Sequence, residues 1–129
     1  MAQGAAQSTE DAATLAAALR SHDDLHHAWE AYEARRKPRA AYIARNTRVL
    51  QEWLHLEDGP AREARDEMMG HDNESSPVFW GSAARKDWLF SHDASRLAQT
   101  PEAIPPLPPR PPKEASVYDR KRHSGRGNL

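Results

Sequence analysis

Apolar side chains recur through the first half of the chain at the three- and four-residue spacing of an α-helix. The first apolar stripe consists of Ala12, Leu15, Ala16 and Leu19. It predicts an amphipathic helix from about Gly4 to Arg20. Because the side chains of this stripe are mostly small, they permit close approach to a neighbouring helix or sheet.

Two further apolar stripes lie on either side of a basic run at residues 35–39. The second stripe follows a predicted capping box, Ser21 to Asp24, and comprises Leu25, Ala28, Trp29 and Tyr32. The third stripe comprises Tyr42, Ile43, Val49, Leu50, Trp53 and Leu54. Since Pro38 interrupts the run between them, the pattern predicts either one long helix kinked at Pro38 or two helices that meet there.

Two shorter elements complete the predicted fold. Gly59 and Pro60 indicate the N-cap and first residue of a short third helix that ends at Gly70, with Leu56 nearby as an anchor. Residues 86–94 indicate a short helix or turn that docks through Trp88, Leu89 and Phe90. No stretch shows sustained strand alternation, so the predicted fold class is mostly α-helical.

Composition narrows the class of protein. With 129 residues the chain has room for one small domain, and its mean hydropathy of −0.91 and 29% charged residues are those of a polar chain. The absence of cysteine excludes disulfides and thiolate zinc sites. The formal net charge of −1 gives no electrostatic signal for nucleic acid. No apolar run reaches the roughly 18–20 residues of a membrane span. We therefore predict a cytoplasmic protein with no nucleic-acid or membrane partner.

Prolines mark a boundary near the end of the chain. Seven of the ten lie between Pro101 and Pro112, and a basic stretch with Gly and Ser follows. This composition predicts a helical part at residues 1–95 and a disordered Pro-rich tail at residues 96–129. Within the tail, Ile104–Arg110 fits the apolar-Pro-x-apolar-Pro-x-basic pattern of a polyproline helix that binds an SH3-type domain. A Pro-rich linker is the preferred interpretation, because such matches are common in tails of this kind.

Several candidate residues have plain structural explanations. His22 and His26 have the spacing of zinc ligands on a helix, but no His-Glu-x-x-His pattern accompanies them, so a solvated surface is the preferred interpretation. Trp29 and Trp53 are interpreted as core or interface anchors and not as platforms for stacking bases. None of these residues forms a catalytic constellation.

The start of the chain carries a pattern that fits either a ligand-facing helix or the ordinary start of an Ala-rich helix after a glycine. Gly4 is followed by small residues, an acid pair and an Ala/Leu-rich stretch. A glycine lets the backbone come close to a ligand, and Ala5 and Ala6 add no bulk in front of the exposed amides. Such a start is typical of a helix that faces a phosphate or a flavin. Glu10 and Asp11 are interpreted as helix acids with a structural hydrogen-bonding role.

This opening resembles a segment of the FAD-dependent aromatic monooxygenases, the salicylate hydroxylase-like branch of the flavoprotein hydroxylases. Residues 32–39, 56–60 and 64–66 are similar to the C-terminal helices of that branch, and residues 77–81 and 88–94 to the closing segment of its fungal members. The resemblance covers about residues 2–95. It implies that the basic run of Arg35, Arg36, Lys37 and Arg39 serves helix packing and surface ion pairs, with Glu30 and Glu33 as available partners.

The resemblance also implies a cofactor. In the family, amides at this helix start lie against the pyrimidine edge of the flavin, which assigns FAD binding to Gln3, Gly4, Ala5 and Ala6. The intact enzymes use NAD(P)H to reduce FAD and hydroxylate a small aromatic substrate. The Gly-x-Gly-x-x-Gly fingerprint and its ribose-binding acid are absent here. We therefore expect a C-terminal fragment, inactive by itself, that lacks the N-terminal FAD-binding portion. The alternative is a non-enzymatic helical interaction protein with an SH3-type ligand in its tail.

Overall fold

The computed structural model describes residues 3–71, 74, 76–97 and 103–112, and these residues form four α-helices. The helices are α1 (Gly4–Ser21), α2 (Leu25–Leu54), α3 (Pro60–Met69) and α4 (Ala83–Phe90). A single 3₁₀ turn, Phe79–Gly81, precedes α4. The described residues contain no strand, which confirms the mostly α-helical fold class. No helix in this part of the chain has the length and apolar character that crossing a bilayer requires.

Helices α1 and α2 pack against each other as a hairpin. Ala18 of α1 and Ala28 of α2 are fully buried on either side of the connecting turn. The predicted capping box is wrong, because Ser21 is the last residue of α1 and its hydroxyl donates to the Ala17 carbonyl. Asp24 alone caps α2, accepting a hydrogen bond from the His27 amide at 3.1 Å.

Helix α2 runs without a break through Pro38, so the prediction of one long helix is the correct one of the two. A proline inside a helix removes one hydrogen bond and costs about 3 kcal/mol. Tertiary contacts on both sides of Pro38 offset this cost, because the side chains of Arg36 and Arg39 are both buried against other helices. Local chain preference alone would have left the two alternatives open.

Helix α2 contributes to both apolar clusters of the fold. One cluster joins it to the 3₁₀ turn and α4 through Tyr42, Ile43, Phe79, Trp88 and Leu89. The second consists of Val49, Trp53 and Leu56, with Ala61 and Met68 of α3 packed against it. Leu56 therefore anchors α3, as predicted. That helix begins at Pro60 after Gly59 at φ 146° and ends at its C-cap Gly70, also as predicted.

Some predicted apolar contacts are wrong. Trp88 and Leu89 are buried, but Phe90 is 70% exposed and stacks on the Trp80 ring at 5.7 Å. Trp53 is buried as predicted. Trp29 is half exposed, so its role as an interface anchor stays a prediction. Of the second apolar stripe only Ala28 is fully buried, because the small residues of α1 cover a narrow strip of α2.

Part of the Pro-rich stretch lies along α2. Residues 103–112 form an extended segment, whereas the prediction left this stretch unstructured. The Trp53 indole N–H donates to the Pro109 carbonyl at 2.7 Å, and the Tyr42 hydroxyl donates to the Pro106 carbonyl at 3.4 Å. These hydrogen bonds account for the difference, because aromatic donors hold the segment on α2 in addition to any burial of apolar area. The domain boundary at residue 95 stays a prediction, and residues 113–129 lie outside the described residues.

Candidate functional site

The four residues predicted to bind a cofactor lie together at the amino end of α1. Gln3 is the N-cap, and its side chain makes no capping hydrogen bond. Gly4, Ala5 and Ala6 form the first turn and are exposed. The first amides of a helix have no intrahelical acceptor, and the earliest bond to the cap residue runs from the Gln7 amide to the Gln3 carbonyl at 2.9 Å. The amino end of α1 thus presents backbone donors to its surroundings.

The space in front of this first turn is open. A Cβ atom added at Gly4 would have no neighbour within 4 Å among the described residues. The packing of the chain on itself therefore does not require a glycine at position 4. A residue without a side chain here leaves room for a group supplied from outside the chain.

A buried ionic cluster fixes α1 against α2. Glu10 of α1 receives hydrogen bonds from Arg36 Nη1 at 2.6 Å and from Arg39 Nε at 2.7 Å. Arg36 Nε also donates to Asp11 Oδ1 at 2.6 Å. The side chains of the two arginines are only 4% and 5% exposed. Such charge-assisted bonds are strong and directional, so the cluster sets the position of α1 along α2.

The same cluster reaches the first turn of α1. Arg36 Nη2 donates to the side-chain oxygen of Gln7 at 2.8 Å and lies 3.4 Å from the Gln7 carbonyl. Gln7 in turn donates to Glu10 Oε1 at 3.2 Å. Because Gln7 is one residue beyond Ala6, these bonds hold the exposed amides of the first turn in place.

Arg39 extends the cluster to a third helix. Its guanidinium donates to the carbonyls of Trp88 at 3.2 Å and Leu89 at 2.9 Å, at the carboxyl end of α4. It also lies 4.3 Å from the centre of the Trp88 ring, within the range of a cation–π contact. The carboxyl end of a helix carries partial negative charge, which favours a cation there. Arg39 therefore joins α1, α2 and α4.

These contacts decide the roles predicted for the charged residues. Glu10 and Asp11 have the structural hydrogen-bonding role that was predicted. Lys37 forms the predicted surface pair with Glu33 at 2.5 Å. Arg36 and Arg39 have the predicted role in helix packing, since both are buried and pair with acids of α1 and not with Glu30 or Glu33.

A signal for this burial was present in the sequence. The two arginines, 36 and 39, precede the third apolar stripe by helical spacing and so continue the face of α2 that packs inward.

The two histidines with zinc-ligand spacing make separate contacts. His22 lies between α1 and α2, and its ring nitrogen contacts the Ala18 carbonyl at 3.0 Å. His26 lies on α2 and pairs with Glu30 at 3.3 Å. A search of the described residues finds no group of three or more His, Asp or Glu side chains placed to hold a metal ion. The preferred surface interpretation agrees with these positions.

Comparison with known proteins identifies the relatives of this chain. It is 31% identical over 109 residues to the FAD-dependent monooxygenase OpS4 of Beauveria bassiana, a match of 78% of this chain and 25% of that protein. It is 36% identical over 81 residues to the 3-amino-4-hydroxybenzoate 2-monooxygenase of Streptomyces cremeus, a match of 62% and 21%. The chain is similar to FAD-dependent monooxygenases. A further relative, the FAD-dependent monooxygenase atnJ of an Arthrinium species, is 42% identical over 69 residues, 51% of this chain and 16% of that protein.

The similarity to FAD-dependent monooxygenases covers only part of the length of those proteins. The chain spans about a quarter of the curated relatives it matches. No family model matches the chain. No solved structure matches it either. The similarity therefore rests on these sequence matches.

The residues at the amino end of α1 fit one edge of the cofactor that these monooxygenases use. The pyrimidine edge of a flavin carries acceptors, and the exposed amides of Gly4, Ala5 and Ala6 are donors with no side-chain cap in front of them. The rest of the cofactor has no match in this sequence, which contains no Gly-x-Gly-x-x-Gly. The first turn of α1 therefore fits one edge of the flavin ring and no other part of the cofactor.

The ionic cluster predicts a dependence of stability on pH. Burial raises the pKa of the Glu10 carboxyl, but hydrogen bonds and charge from Arg39 and Arg36 outweigh burial and hold that pKa below its ordinary value of 4.5. Glu10 therefore contributes stability that is present above about pH 4.5 and is lost as the pH falls through the lower native pKa. We expect the difference in free energy of unfolding between the natural chain and Glu10→Gln to shrink below pH 4.5.

Urea unfolding followed by far-UV circular dichroism between pH 7 and pH 2 measures this difference. Glu63→Gln, at an exposed position on α3, is the matched control and should track the natural chain more closely. A gap between Glu10→Gln and the natural chain that stays constant over the acid range would contradict the prediction.

Proposed function

We propose that this chain is part of an FAD-dependent monooxygenase that hydroxylates an aromatic ring with NAD(P)H as reductant. In this proposal the amino end of α1 forms the wall of the flavin site at the pyrimidine edge. The observation that carries the proposal is the uncapped, exposed first turn of α1, Gly4 to Ala6, held in place by buried ion pairs. The similarity to FAD-dependent monooxygenases supports the same assignment.

Each group near the first turn has a distinct role in this proposal. The amides of Gly4, Ala5 and Ala6 donate hydrogen bonds to the cofactor, with Gln3 at the edge of the contact. The partial positive charge at a helix amino end favours negative charge on the bound ring. Gln7 and Arg36 keep the first turn from shifting, so the donors are oriented before the cofactor arrives. The bound flavin supplies the redox chemistry, and the protein supplies position and electrostatics.

The proposal assigns the remaining contacts to another part of the enzyme. Within residues 1–95 the described residues supply donors for one edge of the ring, and the sequence has no fingerprint for the pyrophosphate or ribose. We propose that an N-terminal FAD-binding portion, like that of the intact family, is the partner of this surface. One edge of a flavin does not offset the entropy lost on association. We therefore expect the chain alone to bind no stoichiometric FAD.

A chimera tests the proposal directly. This chain would replace the matched region of the Streptomyces cremeus monooxygenase, 21% of that protein. We expect the chimera to retain FAD through gel filtration and to oxygenate 3-amino-4-hydroxybenzoate. Ala5→Glu should lower the bound flavin about tenfold or more, because the new side chain places bulk in front of the amides and a carboxylate against the acceptor oxygens of the ring. The measurements are the visible absorbance of bound flavin and product formation.

The matched control places the same substitution elsewhere on the helix. Ala12→Glu also changes an exposed alanine of α1, about two turns further from the amino end, and should leave flavin content unchanged. Far-UV circular dichroism checks that each chimera is folded. Equal loss of flavin in the two variants, or a folded chimera without flavin, would overturn the assignment. A stoichiometric yellow complex with the chain alone would replace it with a self-sufficient flavin site.

A further inference from the structure

The Pro-rich segment lies against α2 with a regular spacing of contacts. The carbonyls of Pro106 and Pro109, three residues apart, accept hydrogen bonds from Tyr42 and Trp53. A polyproline II helix has three residues per turn, so carbonyls three apart point to the same side. The contacts therefore follow the repeat of that helix.

Burial along the segment has the same period. Pro108 and Pro111 are buried and Pro105 is half-buried. Ile104 and Leu107 remain 47% and 39% exposed. Residues 105, 108 and 111 thus form the edge that faces the protein, and the segment presents one side to α2.

Charge completes the contact at the end of the segment. Arg110 Nη1 lies 3.3 Å from Glu52 Oε1, and Glu52 is the neighbour of Trp53 on α2. Aromatic donors beside an acidic group are the features by which binding modules recognise polyproline helices ending in a basic residue. Here both features lie on one helix.

We propose that the face of α2 formed by Tyr42, Glu52 and Trp53 is a polyproline II recognition surface. Its resident ligand is residues 104–111 of the same chain. The same surface binds a Pro-rich segment in trans when the resident one is removed. This inference does not rest on the proposed flavin site, which lies at the amino end of α1.

The proposal also gives the SH3-like pattern at Ile104–Arg110 a partner within the chain. An SH3-type domain would need Pro108 and Arg110, but in this chain Pro108 is buried and Arg110 pairs with Glu52 of α2. A short tether gives an effective concentration in the millimolar range. For the resident segment to stay bound, its affinity as a free peptide must correspond to a Kd below about 1 mM.

The experiment uses the whole chain with the resident segment disabled by Pro108→Ala, Arg110→Ala and Pro111→Ala. These three changes lie in the segment itself, so the helices keep their packing. A fluorescent peptide with the natural sequence of residues 103–112 is the probe. We expect saturable binding to the disabled chain with a Kd below about 1 mM. Binding to the natural chain should be at least tenfold weaker, because the resident segment competes.

Point variants in the disabled chain locate the site. Trp53→Phe keeps an aromatic ring in the core and removes the indole donor, and it should weaken the peptide at least tenfold; far-UV circular dichroism checks that this variant is folded. Glu52→Gln should weaken it severalfold and reduce its dependence on salt. Trp29→Phe, at a half-exposed tryptophan outside the surface, is the matched control and should change nothing. The proposal is overturned if the disabled chain does not bind the peptide below about 1 mM, or if Trp53→Phe and Trp29→Phe behave alike.

Discussion

Arg39→Ala should lower the free energy of unfolding of this chain by about 3–5 kcal/mol, the range observed when one partner of a buried ion pair is removed. The substitution leaves the Glu10 carboxylate with fewer partners. It also strips the carbonyls of Trp88 and Leu89 of their donor. Since small domains are stable by only about 5–15 kcal/mol, the loss should be visible as a large drop in the urea midpoint. Equilibrium unfolding followed by far-UV circular dichroism measures it.

Two companion variants separate geometry from charge. Arg39→Lys keeps the charge but lacks the planar, forked guanidinium that binds Glu10 and α4 at the same time. It should therefore recover only part of the lost free energy of unfolding. Arg45→Ala removes an exposed arginine from the same helix and should stay within about 0.5 kcal/mol of the natural chain. If Arg39→Ala were as mild as Arg45→Ala, the cluster would not hold the three helices together.

Arg85→Met should release the 3₁₀ turn and the residues before it from the rest of the fold. Arg85 is 1% exposed and donates to the carbonyls of Ser76, Val78 and Phe79, the closest at 2.7 Å. Methionine fills a similar volume but donates nothing, and each buried carbonyl left unpaired costs about 1–3 kcal/mol. We expect faster amide hydrogen exchange across residues 76–90, measured by mass spectrometry.

The effect should be confined to that region if Arg85 acts on these carbonyls. Exchange in the last turns of α2, residues 49–54, and in α3 should change less, because they pack in the separate cluster of Val49, Trp53 and Leu56. Arg96→Met is the control, since Arg96 is exposed and its pair with Asp93 lies at the surface. Uniformly faster exchange over the whole chain would show that Arg85 contributes to global stability instead.

Hydrophobic periodicity predicted that α1 and α2 are helices, but it did not predict which face of α1 packs. In the predicted stripe of α1, Ala12 and Leu19 are exposed. The buried residues of that helix are Thr14, Ala17 and Ala18. The bounds of α1 and α3 were predicted nearly to the residue. For α3 the reason is that Gly59 precedes its first residue and Gly70 follows its last.

Periodicity alone could not decide whether α2 continues through Pro38. That outcome depends on contacts of Arg36 and Arg39 with residues more than 25 positions away or with the carbonyls of α4. The spacing of the two arginines shows that they face inward, but it does not show their partners on α1 and α4, so the pattern left two alternatives.

The candidate site could be predicted in part. The small residues at Gly4 to Ala6 and the acid pair after them were visible as a pattern, and the structure places them on one helix with a free amino end. The packing of residues 103–112 on α2 was not visible. Composition predicts whether a segment can bury enough apolar area. It does not show that Tyr42 and Trp53 are placed to donate hydrogen bonds to the carbonyls of the segment.

The shared use of one carboxylate by two arginines constrains how this sequence changes over evolutionary time. Glu10 holds Arg36 and Arg39 together, so losing the acid first takes from Arg39 its carboxylate partner and leaves Arg36 with Asp11, whereas losing one arginine first leaves Glu10 paired with the other. Such residues in one network do not change independently, because the effect of each substitution depends on those before it. Descendant lineages would therefore be expected to lose an arginine before the acid, or to exchange all three positions for apolar residues in close succession.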